Sequence, residues 1–127
     1  MKEVSSQIDA FLAFLRLCEQ QHHMAEADER EANDETQDIL HSLELEPHDY
    51  RQLAALGREL RAVRQRRRQA KDTAGVTAPV LRWMEENRPV IKGLERLLGE
   101  TRKVEKHMEN RVYIPRSKRE GGHGGMD

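Results

Sequence analysis

Trp83 is the sole tryptophan of the chain, and Arg111-Val112-Tyr113-Ile114-Pro115-Arg116 sets two arginines around another aromatic ring. An indole offers a flat face for stacking a base, and paired guanidinium groups can clamp a pyrophosphate through bidentate hydrogen bonds. The same residues also suit a plain role, with the indole in the core and a basic tail in water. Spacing alone leaves both open. A second constellation is the run up to Lys71, where Arg58, Arg61, Arg64, Arg66, Arg67 and Arg68 recur on successive turns of a helix. Such a run binds phosphates, or it lies against an acidic helix of the same or a neighbouring chain. Cys18, His22 and Glu26 stand at i, i+4 and i+8, the spacing of one helix face. Three groups from one straight helix cannot close a tetrahedral shell, and the other histidines do not repeat the spacing. They are therefore read as part of a packing seam, with no metal.

Nucleophilic chemistry finds no support. There is no Ser, His and Asp motif with a strand-turn-helix context and no GxxxxGK[ST] phosphate loop. The carboxylates of residues 26–38 form an acidic run that reads as a solvated face. The expectation is a binding protein rather than an enzyme, with no catalytic residue and no cofactor.

The elements that must position these residues are helical. The chain has 127 residues, 35% of them charged and only 4% aromatic, which suits one domain with a thin core. Such a core is often completed by association. Scarce β-branched and aromatic residues argue against an all-β fold. The lone Cys18 excludes an intrachain disulfide, and no window approaches the roughly 18 apolar residues of a membrane span. The first residues lack a signal-peptide core, so the chain is expected in the cytoplasm. Residues 1–49 hold 3 basic and 13 acidic residues, and residues 51–71 hold 8 basic residues against Glu59 alone. A chain so polarised attracts its own copies and any polyanion.

A heptad rhythm runs through Ile8, Phe11, Leu15, Cys18, His22, Ala25, Glu29, Ala32, Thr36, Ile39 and Leu43. It predicts a long first helix, with a loose stretch, bend or break near Asn33 where the seam is small or polar. Pro47 marks the next boundary, and a second helix from about His48 to Lys71 carries Leu53, Leu56, Leu60, Val63 and Ala70 on one stripe. Asp72-Thr73-Ala74-Gly75 is expected to end it. Thr77 then caps a short helix with Pro79 in its first turn, ending near Asn87. Pro89 opens a last helix to Asn110, burying Val90, Leu94, Leu97, Thr101, Val104 and Met108, with Ile91 and Leu98 widening the stripe. The fold expected is all-α, a helical hairpin or coiled-coil-like bundle completed by oligomerisation, with one domain over 1–116. Residues 117–127, with four glycines, are expected to be disordered.

Several short pieces recur in one order: Asp38-Ile39-Leu40-His41 with Leu43-Glu44, the run RQRRRQAKD over 64–72, and Pro79-Val80-Leu81-Arg82-Trp83. Leu94-Glu95-Arg96-Leu97-Leu98-Gly99, Arg102-Lys103 and the RVYIPR segment over 111–116 complete the order. This order resembles the first-type Thoeris anti-defence proteins, small phage-encoded sponges, over roughly residues 36–116. The resemblance implies a helical homo-oligomer, a dimer or a larger assembly such as a hexamer, acting in the bacterial cytoplasm during infection. It implies capture, without cleavage, of cyclic ADP-ribose isomers made by TIR-domain enzymes, and in some members of cyclic oligonucleotides of the CBASS type at a separate basic site. Carried over by position, Trp83 would stack on the base, Arg111 and Arg116 would clamp phosphates, and Tyr113 would lie beside them. Lys92 stands where relatives have an uncharged polar group. Arg58, Arg61, Arg64 and Arg68 are candidates for the second anionic site. The chain departs from relatives at Trp83-Met84, where they tend to have two aromatics.

Two other classes of function fit the charge pattern. A nucleic-acid-binding module would use residues 51–71 on backbone phosphates, and its affinity would fall steeply with salt. An acidic DNA mimic would use Glu26, Asp28, Glu29, Glu31, Asp34, Glu35 and Asp38 to occupy a basic host protein. Under the sponge reading neither nucleic acid nor membrane is a partner.

Overall fold

A computed structural model describes residues 2–111 and contains three helices: α1 (Glu3–Leu45), α2 (Tyr50–Glu86) and α3 (Arg88–Glu109). The segments 112–116 and 117–127 lie outside the described residues. The all-α expectation holds, with a long first helix against which the other two pack.

α1 buries the seam that its heptad rhythm sets out, through Leu15, Cys18, Ala25, Ala32 and Ile39. It runs unbroken past Asn33. The small residues that weaken the sequence pattern are what let α2 approach: Ala25 and Ala32 are 4% and 0% exposed. Ala32, Ile39 and Val63 form the core cluster, with Leu43, Leu56 and Leu60 packed around it. Leu12, not Phe11, takes the first large position, and Phe11 faces outward.

The turn between α1 and α2 is closed by polar groups. Pro47 lies in this connection rather than inside a helix. Asp49 caps α2 by accepting from the Gln52 N–H at 2.8 Å, while the Gln52 side chain accepts from the Asp49 N–H at 2.9 Å. His48 Nε2 lies 2.8 Å from the Ser42 carbonyl and donates to it.

Two expected boundaries are corrected. α2 does not stop at Asp72–Gly75, and Thr77 is not an N-cap: the helix continues through Pro79 to Glu86. Proline usually disrupts a helix interior because its ring presses on the carbonyl four residues back and it lacks an N–H. Here that carbonyl belongs to Gly75, which is exposed and carries no side chain, and Pro79 itself is exposed. Two residues earlier, the Thr77 hydroxyl donates to the Thr73 carbonyl at 2.8 Å, and its oxygen lies 2.8 Å from His22 Nδ1. That buried contact between α1 and α2, together with Ala70, holds the segment helical against its local preference.

The real break is at Asn87, two residues before Pro89. Asn87 leaves helical geometry with φ −125° and ψ 32°, and its side-chain amide donates to the Trp83 carbonyl at 2.8 Å. Pro89 sits in the first turn of α3, where a missing N–H costs nothing.

α3 runs on in the same sense as α2, antiparallel to the N-terminal part of α1. The Ser5 N–H, an otherwise unpaired donor of α1's first turn, donates to the Glu105 carboxylate at 3.1 Å, and Arg102 lies 3.6 Å from Asp9. The stripe expected to be buried is corrected. Leu98 is buried, with Ile91, Leu94 and Thr101 half-buried, while Val90, Leu97, Val104 and Met108 are exposed.

The bond from Ser5, opposed by slight desolvation, holds the Glu105 carboxyl below its ordinary value. A carboxyl depressed in the folded state stabilises above its unfolded value, and that contribution is lost as pH falls through the folded value. The α1–α3 contact is therefore expected to weaken in the acid range, below about pH 4. Thermal unfolding from pH 6 to 3 checks this: a Glu105→Gln chain should lose less of its midpoint across that window than the native chain.

Candidate ligand site at the helix corner

Contacts along the two arms define where the chain leaves α1. His22 meets Thr77, and Asp9 meets Arg102. The 25 residue steps from Thr77 to Arg102 therefore lie opposite the 13 steps from Asp9 to His22. At 1.5 Å per residue, about 37 Å of helix faces about 20 Å of α1. The excess is taken up by the bend at Asn87, so the junction of α2 and α3 projects as a corner.

Trp83 sits on the last turn of α2 at this corner, 39% exposed. The first turns of α3 bring Arg88, Pro89, Lys92, Glu95 and Arg96 around an open depression of about 730 Å³. Arg88 is held by an ion pair to Glu85 across the bend. Lys92 and Arg96 form no ion pair among the described residues. Three cations against Glu95 and the Glu85 paired with Arg88 leave the depression with one net positive charge, and a part-exposed indole stands on the neighbouring helix.

The structure brings Trp83 and Lys92 to the two sides of one bend. It does not bring Arg111 to them in the same chain. Arg111 lies just past the far end of α3, exposed, about 35 Å of helix from Arg88. Tyr113 and Arg116 lie outside the described residues. Arg88 and Arg96 were not singled out in sequence. The turn spacing of 88, 92 and 96 was a signal that could have found them.

The basic run of α2 divides by face. Arg66 pairs with Glu35 at 2.9 Å and Arg67 Nε donates to Asn33 Oδ1 at 2.6 Å, so these two face α1. Glu35, with Glu31 and Asp28 behind it, pushes the Arg66 guanidinium further toward its charged form. Arg61, Arg64 and Arg68 instead line an outer groove of about 400 Å³ with Gly57, Leu60 and Gln65. Arg58, three residues before Arg61, is exposed but is not among the residues lining it.

Cys18 is buried in the seam. His22 is committed to Thr77 and lies 3.5 Å from Glu26. No group of three potential metal ligands occurs among the described residues, and none of their helices is long and apolar enough to cross a membrane.

Comparison with protein-family models, with curated proteins and with solved structures finds no match. The likeness to the Thoeris anti-defence proteins therefore rests on the short motifs alone.

Proposed function

We propose that the protein is a non-catalytic sponge for a compact, phosphate-bearing adenine nucleotide of the cyclic ADP-ribose type. The observation that carries this reading is the corner at Asn87, where the cations Arg88, Lys92 and Arg96 line one depression at the start of α3 and a part-exposed indole stands on the last turn of α2. A purine stacks on the indole and a pyrophosphate is held by the cations. Sequestration needs no reactive group. Tight capture does require burial of the ligand, and an open depression on one chain does not supply it. Arg111, with Arg116 from the tail, would close the site from a neighbouring copy. Titration with glycocyclic ADP-ribose, followed by the emission of Trp83, tests the assignment. Saturable quenching supports it, and emission unchanged at millimolar ligand refutes it.

A second reading is favoured by the outer groove, where Arg61, Arg64 and Arg68 form no ion pair among the described residues. Three phosphate contacts on a duplex would give a slope of about −2.7 in log affinity against log salt. A cyclic oligonucleotide would instead saturate one site per groove. Salt-dependent titrations with both ligands separate the two, and Arg58 is expected to assist at the margin.

A further inference from the structure

Of the five residues that line the corner depression, Glu95 alone is acidic. It is exposed, and among the described residues its carboxylate forms no ion pair and no hydrogen bond. A carboxylate that served only to neutralise the cluster would be found on one of its cations. Arg88 is neutralised by Glu85 instead. Lys92 stands three residues before Glu95, in the order less favourable for pairing along a helix. Counting roughly 100° per residue, positions 88, 92 and 95 fall within about 60° of one another around α3. The rise from Lys92 to Glu95 is about 4.5 Å. One ribose spans that distance, between a phosphate on the lysine and hydroxyls on the carboxylate.

Resting on the corner as a nucleotide site, we propose that Glu95 is its sugar-binding and specificity-determining residue. Its carboxylate accepts hydrogen bonds from ribose hydroxyls of a ligand whose pyrophosphate rests on Arg88, Lys92 and Arg96. An ionised carboxylate has acceptors and no donor, so it takes O–H groups and repels phosphate oxygens. Bonds to it are charge-assisted and stronger than neutral ones. The site then selects by two criteria, a pyrophosphate at one end and free sugar hydroxyls at the other. One pyrophosphate already exceeds the single net positive charge of the depression, so a further phosphate finds no partner on this chain. Set against Glu95, that phosphate brings like charges together, which rejects the wrong ligand rather than strengthening the right one. The class favoured is the ribosylated pyrophosphate, over nucleoside triphosphates and over sugars phosphorylated at those hydroxyls.

The sign of one substitution tests this. Glu95→Gln removes a negative charge from an anion site, so Coulomb attraction alone makes it bind any anion more tightly. Loss of a sugar contact makes it bind the nucleotide more weakly. Calorimetric titrations compare the native chain and Glu95→Gln, each with glycocyclic ADP-ribose and with inorganic pyrophosphate, which has no sugar. Glycocyclic ADP-ribose is expected to bind the variant about tenfold more weakly, the scale of one charge-assisted hydrogen bond. Pyrophosphate should bind the variant no more weakly than the native chain. Helix content by circular dichroism should not change, because Glu95 is exposed and holds no other residue. Nucleotide binding that is unchanged or tighter in Glu95→Gln overturns the inference and leaves the corner site standing. Weakening of both ligands overturns it too, since a disturbed α3 and not a lost sugar contact does that. A native chain that does not bind glycocyclic ADP-ribose removes the corner site itself, and the inference with it.

Discussion

An Ile39→Ala chain is expected to lose about 3 kcal/mol of unfolding free energy, read from the urea midpoint at a fixed protein concentration. Ile39 is 5% exposed and sits in the cluster with Ala32 and Val63, where removing three carbons leaves a cavity that two long helices cannot collapse around. Its neighbour Leu40 is 41% exposed, and Leu40→Ala should cost within about 0.5 kcal/mol. The contrast between adjacent positions isolates the seam from general effects on helix propensity. Equal losses at both would mean that α1 does not meet α2 along this line.

A Trp83→Ala chain is expected to bind the cyclic nucleotide about thirtyfold more weakly, a loss of about 2 kcal/mol from stacking on the indole. Trp83→Phe keeps a ring and should retain most of the affinity. Lys92→Gln is expected to weaken binding by roughly tenfold, the scale of one charge-assisted hydrogen bond. Glu31→Lys with Asp34→Lys, on exposed positions of α1, should leave affinity unchanged. This last pair separates the sponge reading from an acidic mimic, for which the pattern is the reverse.

Much of the architecture was legible because heptad spacing reports directly which residues can meet a neighbouring helix. Leu15, Cys18, Ala25, Ala32 and Ile39 were named by that rule and are buried. The rule failed where two apolar stripes compete on one helix. On α3, periodicity favoured Val90, Leu94, Leu97, Thr101, Val104 and Met108 with Ile91 and Leu98 at the edge, but α1 takes that edge together with Leu94 and Thr101 and leaves Val90, Leu97, Val104 and Met108 exposed. Which stripe wins depends on the partner, and that is not a local property. Pro79 and Pro89 show the same limit. Both are breakers by composition, yet His22 and Thr77 hold the first segment in a helix while Asn87 caps the second break. Of the candidate site, Trp83 and Lys92 were legible, and the structure sets them on either side of the bend. Arg111 was named from its motif, but the straightness of α3 takes it to the far end of the chain's own helix. Whether it completes a site is a question about neighbouring copies, which a single sequence does not encode in its local pattern.

Capture without chemistry is tested by calorimetric titration of the purified protein with glycocyclic ADP-ribose, followed by heat denaturation and chromatography of the released ligand. Nanomolar binding and recovery of the ligand intact are expected. No heat at high protein concentration, or a ligand returned cleaved, would contradict it.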